Sequence, residues 1–252
     1  MLGVSAGALN LGNYISKQIG RSARVNIDFV DDARYIGIKH LIQNGSIFNF
    51  DFLFGEPSNE WMPYNKNALS KSTQRYVIGV TNCKTGKQEF YESKNYDELT
   101  HILQASSSLP ILSNIVYINN IPYIDGGISC AIPYYKAYNE GYKKLVIIQT
   151  RPSGFHSKDN VYLNLIYNTY FRQYPKLVSN LHSMSKRYNT LLRKIEALER
   201  DGKIFVIRPK TNLQVRKLEK DKQKLRLLYL EGKEDAHQRL QKMYDYLNTE
   251  TV

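Results

Sequence analysis

Only two cysteines, Cys83 and Cys130, occur in the 252 residues, and they stand far apart. That spacing supplies neither a disulfide framework nor a metal knot, so a reducing cytoplasm is the expected setting. His, Cys and carboxylates form no cluster at metal-ligand spacing, and no metal or other cofactor is expected. Long apolar runs are missing as well. Nothing approaches the roughly 18 to 20 residues a helix needs to cross a bilayer, which excludes a spanning helix. The first eleven residues are small and apolar but have no basic start and soon reach Asn10 and Asn13, unlike a secretory signal. There is no internal repeat and no low-complexity linker.

What is present is a globular composition, 42% hydrophobic, enough to bury a real core as one large domain or as one domain with an appendage. Charge is uneven. Lys and Arg outnumber Asp and Glu by 35 to 23, a net +12, and residues 172 to 252 hold 19 basic against 10 acidic side chains. A basic C-terminal third suits a solvated helical face, or an anionic partner such as a membrane surface or a nucleic acid.

The stretch with most chemical content is Gly3-Val4-Ser5-Ala6-Gly7, a Gly-x-Ser-x-Gly pattern followed by helix-compatible Ala8, Leu9 and Leu11. Its physical sense is a strand ending in a tight turn that strains Ser5, with Gly3 and Gly7 letting strand and helix approach without a Cβ clash. The helix would point its unpaired N–H groups back at the serine, and the Ala6 N–H could hold an oxyanion. Only four residues precede Ser5, fewer than the five or six a strand commonly spans. Either another segment supplies the strand, or the chain has lost its beginning.

Further on, Val25 to Val30 reads as a short strand and Tyr35 to Asn44 as a helix stopped by Gly45. Ile47 to Phe54 reads as an extended segment, its Phe48, Phe50, Phe52 and Phe54 alternating to form one aromatic face. That face suits buried core, or the lining of an acyl-chain slot. Arg75 to Thr81 and Gln88 to Glu92 form a hairpin across Lys84-Thr85-Gly86-Lys87. Tyr96 to Ser107 is a helix with Leu99, Ile102 and Leu103 on one side. A second hairpin, Ile115 to Ile118 with Pro122 to Ile124 around Asn119-Asn120, delivers Asp125-Gly126-Gly127.

Pro133 to Asn139 opens a helix closed by Gly141, and Lys144 to Thr150 resembles a buried parallel strand. Residues 160 to 173 and 176 to 200 are expected as helices separated by Pro175. The second carries an apolar stripe, Leu177, Leu181, Met184, Tyr188, Leu191, Ile195 and Leu198, flanked by Lys186, Arg187, Arg193 and Lys194. Lys203 to Arg208 is a strand, and Leu218 to Leu230 and Glu234 to Leu247 are charged helices.

Ser5 on an elbow and Asp125 fixed by two glycines, together with Ala105-Ser106-Ser107-Ser108-Leu109-Pro110 and Tyr123-Ile124-Asp125-Gly126-Gly127, resemble the core of the patatin-like phospholipases. The resemblance covers roughly residues 1 to 173. It implies a three-layer α/β fold with a mainly parallel central sheet flanked by helices. Residues 1–173 would be the catalytic core, and 174–252 a basic, mainly helical C-terminal extension like that of a bacterial subgroup. It also implies a serine esterase that hydrolyses phospholipid or another acyl ester through a Ser-Asp dyad, with Ser5 as nucleophile and Asp125 as proton acceptor. Gly3, Gly7, Gly126 and Gly127 would be motif residues. The lipid substrate class favours an anionic membrane over a nucleic acid as partner, and a cytoplasmic protein peripheral to the membrane.

One feature departs from the family. Its oxyanion loop, Gly-Gly-Gly-x-Arg/Lys-Gly, precedes the serine and has no counterpart before Ser5, so the resemblance implies an N-terminal truncation that removes the first strand and the loop. An aspartate with an ordinary pKa of about 3.9 is a weak base, so burial or loss of hydrogen-bond donors would have to raise its affinity for the proton. Two alternatives remain: an inactive fragment or a non-catalytic lipid- or partner-binding protein, and an α/β-hydrolase triad of Ser5, Asp125 and His156 in that chain order.

Overall fold

The computed structural model describes residues 1–55, 60, 62–211, 215–216 and 218–249. In chain order the elements are β1 (Leu2–Val4), α1 (Ala6–Ile15), α2 (Arg21–Asp28), α3 (Ile38–Asn44), α4 (Phe50–Phe54), α5 (Lys66–Lys71), β2 (Val77–Asn82), β3 (Gln88–Glu92), α6 (Tyr96–Ser106), β4 (Val116–Ile118) and β5 (Ile121–Asp125). There follow α7 (Gly127–Cys130), α8 (Tyr134–Asn139), β6 (Val146–Ile148), α9 (Val161–Tyr170), α10 (Pro175–His182), α11 (Met184–Arg200), β7 (Phe205–Ile207) and α12 (Lys222–Asn248). They fall into two compact units, Met1–Ile132 with Asp159–Met184, and Pro133–Lys158 with Ser185–Val252.

The first unit is built on a five-stranded sheet between helices, the α/β arrangement expected. Its strand directions are mixed, not mainly parallel: β1 runs parallel to β2, whereas β2–β3, β2–β5 and β4–β5 are antiparallel. Tight hairpins account for two of these pairs, β2–β3 and β4–β5, since two strands joined by a short turn must be antiparallel. Asn119 and Asn120, at φ 50° and 62°, form the turn between β4 and β5.

β2 is buried along its whole length. Ile78 packs with Ala8, Ile15, Leu69, Leu99 and Ile102 from α1, α5 and α6. The opposite alternation of the sheet supplies Ile124, which packs with Ile128 of α7, Tyr167 of α9, Phe171 just beyond α9, and Leu177 of α10. Successive strand residues point to opposite faces, so Ile78 of β2 and Ile124 of β5 serve opposite layers of the one sheet. Helix α6 starts where Asn95 accepts the N–H groups of Asp97 and Glu98, and it buries Leu99, Ile102, Leu103 and Ser106 on one stripe.

Several local expectations give way to tertiary context. Val25 to Val30 is not a strand: α2 follows Gly20 in its left-handed conformation and buries Arg21 and Val25 one turn apart. The Arg21 guanidinium donates to the Met62 carbonyl and to Asn13 Oδ1, bonds that need a helical presentation. The aromatic segment is extended only at Phe48, whose backbone bridges Ile36. Asn49 then caps α4, and the alternation breaks into a stacked Phe50–Phe54 pair and a Phe52 ring against Tyr35 and Phe29. Helix α3 starts at Ile38, later than expected, and ends at Gly45 as its sequence indicates.

In the second unit β6 pairs parallel with β7, as its sequence suggests, but in a separate two-stranded sheet. It is not a buried strand: Ile147 is buried while Ile148 is 75% exposed. The run from 176 to 200 is two helices, α10 with Pro175 in its first turn and α11 beyond a break at Ser183. The two charged helices expected near the C-terminus are one. α12, capped by Asp221, passes straight through Gly232, because strong helix formers on both sides outweigh the cost of about 1 kcal/mol for one glycine.

Candidate active site

Ser5 joins β1 to α1 at φ 51°, ψ −127°, a conformation rare for a residue with a side chain. The expected strain is therefore present. The elbow also has its strand: three residues suffice, since Leu2, Gly3 and Val4 pair with Val77, Ile78 and Gly79. Gly3 is required here, because a Cβ on it would lie 2.7 Å from Ala8 Cα. Gly7 is not, as a Cβ there would meet nothing among the described residues within 4 Å, so only one of the two motif glycines lets strand and helix approach.

The register brings Ser5 and Asp125 to one place. β3 covers Val77–Thr81 along one edge of β2, so the other edge is shared: β1 lies along Val77–Gly79 and β5 along Val80–Asn82. β1 is parallel to β2 and β5 antiparallel. The two strands therefore lie end to end with their C-terminal ends meeting where Gly79 passes to Val80. Val4 pairs with Gly79 and Asp125 with Val80. At a rise of about 3.3 Å per residue, the serine and the aspartate stand within a residue or two of one another. Gly126 is the joint: a Cβ on it would lie 2.2 Å from the Gly79 carbonyl oxygen and 3.0 Å from Val4 Cγ1.

Asp125 is 5% exposed. Its Oδ1 accepts the Gly127 N–H at 2.7 Å, its carbonyl accepts Thr81 Oγ1 at 2.8 Å, and its N–H donates to the Ser108 carbonyl at 3.0 Å. Gly127 thus contributes a donor that orients the carboxylate. Ser5 is half-buried, and its side chain does not cap α1. Ala6 and Gly7 are exposed at the start of that helix, where N–H groups have no intrahelical partner. The first helical bond is Leu9 N–H to the Ser5 carbonyl, 3.1 Å.

Beside Ala6 lies a cavity of about 100 Å³, whose walls include Leu9, Val25, Tyr35, Leu53, Phe54 and Leu99. Of the alternating phenylalanines only Phe54 reaches it; Phe50 and Phe52 are buried core. His156 is exposed in the second unit, with the Asn189 side-chain amide 3.3 Å from its Nε2. Among the described residues no group of His, Cys and carboxylates could hold a metal ion.

A residue to which sequence reasoning assigned no role is Ser106. Its hydroxyl, fully buried, accepts the Ser5 N–H at 2.9 Å and donates to the Gly79 carbonyl at 2.7 Å. The signal was available, because Leu99, Leu103 and Ser106 fall on one helical stripe and a serine on such a stripe needs a buried partner.

Comparison with known proteins accords with this geometry. Residues 174–248 match a domain of unknown function (DUF6363). The chain is 29% identical over 157 residues to the uncharacterized protein YjjU of Escherichia coli strain K12. That match covers 60% of the chain and 43% of YjjU, so the chain spans less than half the length of this relative. Residues 1–138, more than half of the chain and including the elbow, the Ser106 segment and Asp125, match the patatin-like phospholipase model, and the chain belongs to that family.

Proposed function

We propose that the chain hydrolyses lipid acyl esters through Ser5 and Asp125. The observation that carries this reading is the strained Ser5 elbow set end to end with the strand that delivers Asp125. Ser5 Oγ attacks the acyl carbonyl carbon while its proton passes to the Asp125 carboxylate. The tetrahedral intermediate expels the alcohol, which takes that proton, and leaves an acyl-enzyme. Water then gives a proton to Asp125 and attacks the acyl carbon, and Ser5 recovers a proton as the acid departs. The Ala6 N–H, at the positive end of α1, holds the oxyanion in this reading. The cavity beside Ala6 suits the end of an acyl chain: at about 30 Å³ per water-sized group it admits only a few such groups.

Turnover of p-nitrophenyl esters and labelling by a fluorophosphonate test the assignment. Ser5→Ala should abolish labelling, Asp125→Asn should lower turnover by roughly 10²- to 10⁴-fold, and His156→Ala should leave it within a few-fold. Labelling that persists in Ser5→Ala would overturn the nucleophile. A collapse in His156→Ala would favour the triad.

Peripheral contact with an anionic membrane belongs to the same reading. No described helix is long and apolar enough to cross a bilayer. Each unit by itself offers one feature that suits such a contact: α9 in the first has no charged residue and exposes Val161, Tyr162, Leu165, Ile166 and Tyr170, and α11 in the second exposes Lys186, Arg193 and Lys194. Apolar and tyrosyl side chains suit the boundary between headgroups and acyl chains, and the lysines and arginine suit anionic headgroups.

A further inference from the structure

We propose that Ser106 is a positioning residue for the nucleophile, its hydroxyl standing in for one rung of the β1–β2 ladder. The inference rests on the reading of Ser5 as nucleophile. In a parallel pair the bonds are evenly spaced and slanted, and every second residue of a strand bonds the two residues that flank its partner. The Val77 N–H donates to the Met1 carbonyl, and Leu2, Gly3 and Val4 lie opposite Val77, Ile78 and Gly79. Carried forward, that alternation makes the next rung the Ser5 N–H to the Gly79 carbonyl. The direct bond is replaced by a relay: Ser5 N–H to Ser106 Oγ at 2.9 Å, and Ser106 Oγ to the Gly79 carbonyl at 2.7 Å.

A direct rung would hold Ser5 in the strand and in an extended conformation. With a hydroxyl between them, the amide and the carbonyl separate well beyond one hydrogen-bond length and both remain satisfied. Ser5 can then leave the ladder for φ 51° without orphaning either backbone group. A serine hydroxyl has the one donor and the acceptor capacity the relay needs. Ser106 is fully buried, so water cannot take its place without rearrangement.

The same segment also holds the other half of the site. The Ser106 carbonyl accepts the Gly126 N–H at 3.4 Å, and the Ser108 carbonyl accepts the Asp125 N–H at 3.0 Å. The C-terminal end of α6 therefore sits at the meeting point of β1 and β5, bonded by a side chain to the nucleophile's amide and by carbonyls to the amides of Asp125 and Gly126. It sets the two groups relative to each other without touching the substrate.

The test compares Ser106→Ala, Ser106→Thr and Ser106→Cys with the parent. Ser107→Ala serves as control, since the buried Ser107 hydroxyl has no hydrogen-bond partner among the described residues and so has nothing to lose. Ser106→Ala should slow fluorophosphonate inactivation and lower kcat by about 10²-fold, the scale of a small misplacement, with KM unchanged. Ser106→Thr, which keeps the hydroxyl, should stay within a few-fold. If the alanine variant does not fold, Ser106→Cys, similar in volume but a poor donor and acceptor, carries the comparison and should be slowed alike.

Amide hydrogen exchange at Ser5 supplies a readout that needs no catalysis. Its protection should fall at least tenfold in Ser106→Ala and not in Ser107→Ala. A Ser106→Ala protein with parental inactivation rate, parental kcat and parental protection at Ser5 would overturn the proposal. If the parent protein turned over no ester, the reading of Ser5 as nucleophile would fail, while exchange at Ser5 would still decide whether the relay exists.

Discussion

At Ser5 the fold places a residue with a side chain where the backbone prefers glycine, and glycines nearby make room for it. Their roles differ, and substitution should separate them. Gly3→Ala would push a Cβ to 2.7 Å from Ala8 Cα and should destabilise the protein by roughly 1–3 kcal/mol, with loss of fluorophosphonate labelling. Gly126→Ala meets the Gly79 carbonyl oxygen at 2.2 Å and should be at least as damaging. Gly7→Ala meets nothing within 4 Å, keeps its N–H and lies in a helix, so it should be neutral or stabilising by up to about 1 kcal/mol. Thermal melts with a labelling assay check all three. A Gly7→Ala protein as damaged as Gly3→Ala would show that this half of the motif has a steric duty the geometry lacks.

Among the elements, α12 offers a direct check because local sequence and structure read differently there. Glu231-Gly232-Lys233 reads as a break between two helices, yet the helix runs from Lys222 to Asn248 and a Cβ on Gly232 would meet nothing within 4 Å. Gly232→Ala should therefore stabilise by about 0.5–1 kcal/mol, seen as a higher Tm. A two-helix arrangement with a turn at Gly232 would give no gain or a loss. The elements legible in the sequence are those whose signals are local. Asn119-Asn120 marks a hairpin, Leu99, Ile102 and Leu103 mark a helix by their spacing, and Gly45 marks a helix end. The misread ones, Val25 to Val30 and Ile47 to Phe54, have alternating apolar residues that a short helix buries equally well once Arg21 or Asn49 has found its partner.

Over the whole molecule the net charge of +12 bears on association rather than on folding. If α11 meets an anionic surface with Lys186, Arg193 and Lys194, binding to phosphatidylcholine vesicles should rise as phosphatidylserine is added. It should fall as salt shortens the Debye length from about 10 Å at 0.1 M to about 3 Å at 1 M. Lys186→Glu combined with Lys194→Glu should weaken binding to the anionic vesicles, and Leu165→Ser combined with Ile166→Ser should weaken it at every lipid composition. Co-flotation of inactive Ser5→Ala protein measures this without hydrolysis. Binding indifferent to phosphatidylserine and to salt would remove the electrostatic part of the reading.

The sequence by itself determined the elbow, the hairpin that ends at Asp125, the α/β class and the likeness to patatin-like phospholipases. All rest on residues a few positions apart, where glycine, asparagine and helical spacing act through the local backbone. Tertiary structure alone decided that β1 and β5 share one edge of β2 end to end, which is why Ser5 and Asp125, 120 residues apart in the chain, meet there. It also decided that Ser106, one of three consecutive serines, supplies the rung between Ser5 and Gly79, because only its hydroxyl lies on the buried stripe of α6 facing the gap. Register and burial depend on contacts between distant segments, and no local pattern specifies them.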